Sequence, residues 1–253
     1  MVIPFLWMIS TSLKSLGEVF RFPPTMFGER LVWENYSAVS DRYPFGRFFV
    51  NSLYISAIVV SFQVITSALA GYSFARLRFT GRDTIFALYL ATLIVPFHVT
   101  IVPTFWIMRV FGWIDTHISL ILPSLVTAFG TFLMRQFFMT IPDDLENAAK
   151  IDGCTPFGIF WRVFLPLTKP ALATLAVFVF IGIWNDFFRP LVFINSIRLM
   201  TIPLGLAAMQ GMYSTNWPVL MAATMLSLTP VLIAFISAQE YFVRGVTLSG
   251  LKG

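Results

Sequence analysis

In a chain of 253 residues that is 57% apolar and only 11% charged, the side chains able to do chemistry are few. Their spacing narrows what that chemistry is. Residues 146–170 read ENAAKIDGCTPFGIFWRVFLPLTKP, gathering Glu146, Lys150, Asp152, Arg162 and Lys169 between stretches apolar enough for a bilayer. No acid, base or nucleophile constellation accompanies them. Cys154 is the single cysteine, so an internal disulfide and a cysteine-cluster metal site are excluded. His98 and His117 lie far apart without metal-ligand neighbours, so neither a catalytic nor a metal site is expected. No G-x-x-x-x-G-K-[ST] occurs, so the chain has no P-loop with which to hydrolyse ATP. The chemistry open to the insert is recognition of a partner.

A second set of polar groups lies in or near the apolar runs: Asn51, Gln63, Asn185 and Asp186. Sugars and similar ligands favour hydrogen bonds with aromatic contact. Asn51, Trp184, Asn185 and Asp186 are therefore the candidates for a substrate pathway. Asp186 also has a plainer reading, as the partner of Arg189 at i+3. The 28 phenylalanines suit lipid and helix packing more than a sugar platform.

These groups need elements to position them, and the composition names the class. A soluble domain of this size carries about a quarter charged residues; this chain carries less than half of that. The expectation is an all-α, polytopic membrane protein. Its net charge of +5 contains no run resembling a nucleic-acid patch and suits anionic lipid headgroups. Uncharged runs predict membrane helices over 48–75, 84–108, 116–138, 170–188 and 219–239. Residues 1–13 are apolar but would reach only about 20 Å, short of the hydrocarbon core, and read as a partial first helix. The count is about six, in a single domain over 1–253. Residues 14–47 read as an external loop and 240–253 as a cytoplasmic tail. Pro96, Pro103, Pro123 and Pro230 fall inside spans, where freed carbonyls point toward neighbouring helices or a wet cavity.

The 17 basic residues divide almost evenly between the two sides. The ARLRFTGR turn (75–82) is the densest basic cluster between two spans and favours its side as cytoplasmic. The 140–169 insert lies on that side. Ile141-Pro142-Asp143-Asp144 is a helix start, since proline suits the first turn and carboxylates complement the positive helix end. Leu145, Ala148, Ala149 and Asp152 then share a face at helical spacing, kept low by its alanines. Gly153 supplies the positive φ of a C-cap, and Thr155-Pro156 restarts a helix. Phe157, Phe160, Trp161 and Phe164 repeat at helical spacing until Leu165-Pro166 ends it. Two readings remain open: a connector lying on the membrane surface, or an element that docks in a groove of a soluble partner.

LENAAKIDGC followed by FWRVFLPLTKPAL resembles the EAA loop of ATP-binding-cassette importer permeases. Glu146, Asn147, Ala148, Ala149, Asp152, Gly153, Leu165 and Pro166 fall on or beside that pattern. Asn147 stands where the family usually has Glu, and Cys154 where Ala is common. PFLWMISTSLK (4–14), ENYSAV (34–39), NSLYIS (51–56), AGYSFARLRFTGR (70–82), IVPFHVTIVPTF (94–105), WNDFFRPLVF (184–193) and YFVRGVTLSGLKG (241–253) extend the likeness over nearly the whole chain. They resemble the carbohydrate branch, and within it the second permease subunit of the maltose-transporter type. The resemblance implies a type I importer transmembrane fold in a bacterial or archaeal inner membrane. It implies a companion permease, a cytoplasmic ATPase dimer, an external substrate-binding protein and no cofactor held by this chain, with ATP and Mg²⁺ used by the ATPase. The coupling residues would be those named, with Phe157 and Phe160. A self-contained channel or secondary transporter is the alternative; it would favour paired intramembrane charges or inverted repeats, and neither is evident.

Overall fold

The computed structural model describes residues 2–211 and 215–247, with side chains described as far as Glu240. Among the described residues every regular element is helical. In chain order these are α1 (Ile3–Ser12), α2 (Leu16–Val19), α3 (Glu34–Arg42), α4 (Phe45–Arg76), α5 (Arg82–Ala91), α6 (Phe97–Val110) and α7 (Ile118–Ile121). Then follow α8 (Ala128–Thr140), α9 (Asp143–Ile151), α10 (Pro156–Ile159), α11 (Leu165–Leu167), α12 (Lys169–Trp184), α13 (Phe188–Phe193), α14 (Ile202–Ala208) and α15 (Trp217–Thr247).

Among the described residues three stretches are long and apolar enough to cross a membrane: Phe45–Arg76, Ile118–Thr140 and Trp217–Glu240. The number rises to at most five if each of two bent pairs is one span, and α1 is a shorter apolar helix of 10 residues. The expected single helix over 84–108 is instead broken, with Arg82–Ile94 and Phe97–Val110 set at 97°. Pro96 causes the break. Its ring disfavours helical backbone in the residue before it, and Val95 is extended at φ −77 and ψ 115. Pro103 and Pro230 stay inside continuous helices. The expected helix over 116–138 is interrupted after Pro123 and restarts beyond an extended Thr127.

The span expected over 170–188 stops at Trp184. Asn185 donates its side-chain amide to the Ile181 carbonyl at 2.9 Å, and Asp186 accepts the Arg189 amide at 3.3 Å, so one helix closes and α13 opens. The final helix runs past the expected end at 239 to Thr247. Residues 212–214, in the stretch GMYSTNWP (211–218) that reads as a loop in the sequence, and 248–253 of the tail, lie outside the described residues.

The 14–47 segment is a correction. It holds α3, whose Tyr36 and Val39 turn one face onto α15, with Val39 fully buried. Asn35 donates to the carbonyls of Ser12 and Lys14, both at 2.9 Å, satisfying acceptors that the end of α1 leaves open.

Helix α4 is the axis of the fold. Phe45 and Phe48 belong to one buried cluster with Trp184 and Ile202. Ile55 and Val59 join a second with Leu120 and Phe193. Ala68 and Tyr72 join a third with Met134, Phe138 and Phe164. Its tightest neighbour is α8. A methyl group on Gly71 would come within 2.7 Å of the Met134 Cβ and 2.9 Å of the Arg135 backbone nitrogen. Gly130 meets Ser67 across the same crossing. Small residues let two membrane helices approach at backbone distance.

Outside the spans, Asp115 ties two turns together. It sits in the left-handed region at φ 58, which aspartate tolerates. Its carboxylate accepts the amides of Asn195 and Ser196, at 2.9 and 2.8 Å, and the Ser196 hydroxyl. The Ser196 hydroxyl and then its amide hold the Asp115 pKa below the usual carboxylate value. A depressed carboxylate contributes stability above its unfolded pKa, about 3.9, and loses it as pH falls through the folded value. At pH 7, Asp115→Ala should raise amide hydrogen exchange at Asn195 and Ser196 by about tenfold. In the unmodified chain the same tie should release only when acidified below the ordinary aspartate range.

Candidate functional site

The 140–169 insert folds as the residue types demand. Asp143 and Asp144 occupy the positive end of α9, and Lys150 its last turn. Pro142, expected in the first turn, is instead the cap, with ψ 141, so the helix begins one residue later, at Asp143. The helix closes when Asp152, Gly153 and Cys154 donate to Ala148, Lys150 and Ala149, each at 3.0 Å. Gly153 has φ +77, and nothing lies within 4 Å of a Cβ built there. Thr155 caps the next helix by accepting the Gly158 amide at 3.2 Å.

That second helix does not end at Leu165-Pro166. A π-turn over Phe160–Phe164 carries it into α11. Proline at 166 has no N–H to donate and its ring crowds the carbonyl four residues back; the widened turn accommodates both.

The faces also differ from expectation. Ala149 turns inward, buried among Ile159, Phe160 and Phe164, while Ala148 is exposed. Phe160 and Phe164 enclose Tyr72 with Phe138, at ring distances of 5.1 and 5.3 Å. Their expected companions point away: Phe157 is 67% and Trp161 60% exposed, their rings stacked 6.5 Å apart. Ile151 is 86% exposed, and Leu145 is exposed as well. Asn147, Asp152 and Pro166 are exposed, and Leu165 is half-buried. Glu146 is not on the outer face. Its side chain is 12% exposed, 2.6 Å from the Lys150 ammonium and 3.7 Å from Arg76.

Arg76 is the residue that sequence reasoning missed. The last residue of α4, 7% exposed, it donates Nε to the Phe138 carbonyl at 3.1 Å. Its other nitrogens reach the Phe138 and Ile141 carbonyls and Asp143, and its guanidinium lies 4.9 Å from the Phe164 ring. One side chain thus latches α4 and α8 to the start of α9. A cavity of about 630 Å³ lies beneath, lined by Arg76, Arg78, Glu146, Asn147, Lys150 and Cys154 among others. Nothing in the ARLRFTGR cluster separates Arg76 from Arg78 or Arg82; only its place at the end of the span hints at it.

The candidate pathway residues are not brought together. Asn51 donates to the carbonyls of Arg198 and Met200, both at 2.9 Å, tying α4 to the turn before α14. Trp184 is buried, donating to the Ser227 carbonyl at 3.1 Å and standing edge-on to Phe49. Asn185 is exposed and bonded within its own helix. Asp186 pairs with Arg189 at 3.2 Å, as the plainer reading holds. Arg189 in turn lines a cleft of about 280 Å³ between α4, α8 and α12, with Gln63, Thr127, Phe129, Phe178 and Gly182. Gln63 and Arg189 converge there on Ser124, through its carbonyl and its hydroxyl.

Residues 33–248 match the family model described as binding-protein-dependent transport system inner membrane component. The chain is 34% identical to the arabinooligosaccharides transport system permease protein AraQ of Halalkalibacterium halodurans, over 100% of this chain and 91% of that protein. It is 35% identical to the sulfoquinovosyl glycerol transport system permease protein SmoH of Agrobacterium fabrum, over 99% and 88%. With the sn-glycerol-3-phosphate transport system permease protein UgpE of Pectobacterium atrosepticum it shares 35% identity, over 90% and 84%. In fold it is similar to a chain of a bacterial ABC transporter involved in the import of the acidic polysaccharide alginate, with TM-score 0.86 and 23% identity over 95% and 90%. The all-α architecture is that of an importer transmembrane domain, and the protein is a multi-pass inner-membrane component. By its family model and by relatives aligned along its length, this chain belongs to the binding-protein-dependent transport system inner membrane components.

Proposed function

We propose that this chain is one permease half of an ATP-driven importer of a sugar or sugar derivative, coupled to a separate ATPase through the 140–169 insert. The observation that carries the reading is the insert's outward surface. Ile151, Phe157 and Trp161 stand exposed on two helices that the inward residues and Arg76 hold rigidly to the bundle. A rigid, apolar-faced helix pair suits docking in a groove. On this reading the insert faces the cytoplasm and residues 14–47 face outside. The ATPase dimer binds ATP and Mg²⁺; a companion permease completes the pathway and an external binding protein delivers the sugar. The chain performs no catalysis and holds no cofactor. Relatives named for arabinooligosaccharide, sulfoquinovosyl glycerol and sn-glycerol-3-phosphate transport support the substrate class.

The test is a pair of substitutions in the assembled transporter. Valine at Gly153 meets no neighbour, so its cost is the left-handed backbone alone, about 1–2 kcal/mol. Gly153→Val should alter the angle between α9 and α10, and Ala148→Trp should add bulk on the exposed face. Each should lower ATP-driven uptake and ATPase co-purification by about tenfold while the amount of permease in the membrane is unchanged. Normal values for both would make the insert a surface-lying connector.

A further inference from the structure

The importer reading leaves open whether the sugar is charged, and the relatives divide on it. Some are named for uncharged glycans, such as arabinooligosaccharides and lactose, and others for a sulfonated or phosphorylated compound. The cleft between α4, α8 and α12 bears on this directly. Gln63 enters it from near the middle of α4, well inside the membrane span. Polar groups at such depth are costly and mark substrate routes.

The charge of the cleft is balanced. Arg189 lines it, with Nε 3.2 Å from the Asp186 carboxylate, and both side chains retain partial exposure. Its Nη1 donates to the Ser124 hydroxyl, and its guanidinium lies 5.0 Å from the Phe97 ring. Nε, although 3.2 Å from the Asp186 carboxylate, is a buried donor that makes no hydrogen bond among the described residues. Gln63 gives its amide N–H to the Ser124 carbonyl, which leaves its own carbonyl oxygen as an acceptor. Phe178, 53% exposed, adds an apolar ring to the lining. A sugar hydroxyl both donates and accepts, so it suits this mixture. An acidic group would have to draw Arg189 away and leave the Asp186 carboxylate, 19% exposed and just beyond the end of α12, without its partner, which is unfavourable.

We infer that this cleft is a saccharide subsite selecting an uncharged glycan over an acidic one, with Arg189 and Asp186 as its specificity-determining pair. The inference rests on the importer reading above. Its test uses the complete assembly with companion permease, ATPase and binding protein in proteoliposomes. Uptake is measured for arabinotriose, lactose and maltotriose, and for sn-glycerol 3-phosphate, sulfoquinovosyl glycerol and an alginate trisaccharide. ATP-driven uptake should come from the uncharged set. Arg189→Gln and Asp186→Asn should each lower it about tenfold, and the double variant should stay as low, because the contacts to sugar are lost with the pair. A pair that serves only the fold would instead be rescued in the double variant, which would overturn the subsite. Uptake drawn from the acidic set would overturn it also. Should the pair variants fail to assemble, Phe178→Ala decides: a loss of about fivefold supports the subsite and unchanged uptake overturns it. If the unmodified assembly imports no compound of either set, the sugar reading itself falls, and the subsite with it.

Discussion

Arg76→Ala should abolish ATP-driven uptake while the protein still inserts in the membrane. The side chain is nearly enclosed, and it satisfies two carbonyls at the end of α8 as well as Asp143 and Glu146 at the start of α9. Removing it leaves the Ile141 carbonyl open, the Phe138 carbonyl with only the Ile141 amide at 3.3 Å, and Glu146 held by Lys150 alone. Breaking one partner out of a buried, hydrogen-bonded charge costs about 3 kcal/mol, equivalent to a shift of roughly a hundredfold in favour of a detached insert. The apolar spans lose nothing, so membrane level should hold while uptake and ATPase co-purification fall together. Arg76→Lys should recover little, since an ammonium cannot replace a planar fork that serves several acceptors in different directions. Normal uptake by Arg76→Ala would show that the insert keeps its position by packing alone.

The largest effect on the protein itself is expected at Gly71. A Cβ there would stand 2.7 Å from the Met134 Cβ and 2.9 Å from a backbone nitrogen, and neither can swing aside as a side-chain tip would. Overpacking of a core costs typically about 1–3 kcal/mol, and here the strain falls on two backbones at their closest approach. Gly71→Leu should therefore force α4 and α8 apart and strip folded permease from the membrane, measured as monodisperse protein on detergent extraction. Gly46→Ala is the control. Its Cβ would meet nothing within 4 Å, and alanine is the better helix former by up to about 1 kcal/mol. Equal yields from Gly71→Leu and Gly46→Ala would mean that the crossing is not backbone-tight.

Particular residues show where sequence reasoning reached and where it stopped. Gly153 and Thr155 were legible because a positive φ and an N-cap are local demands that few residue types meet. Val95 was not, although Pro96 was seen: the 97° bend requires knowing that no neighbouring contact straightens the chain. The stretch Glu34–Arg42 reads as polar, and only the face of α15 makes a helix of it. Glu146, beside the family pattern, and Ala149, within it, turn inward, and a place in or next to that pattern does not say which residue faces a partner. Arg76 and Arg189 were visible as charges, but their roles depend on Phe138, Ser124 and Gln63, each more than fifty residues distant in sequence. Long-range convergence of this kind leaves no periodic trace.

Helix α4 runs unbroken for 32 residues, about 48 Å, and so behaves as a stiff lever. A tilt of roughly 10° about its centre would carry the end bearing Arg76 through about 4 Å, and the same motion would shift Gln63, near the pivot, by less than about 1 Å. The guanidinium latch thus rides where a small rotation gives the greatest travel, and the polar cleft rides where it gives the least.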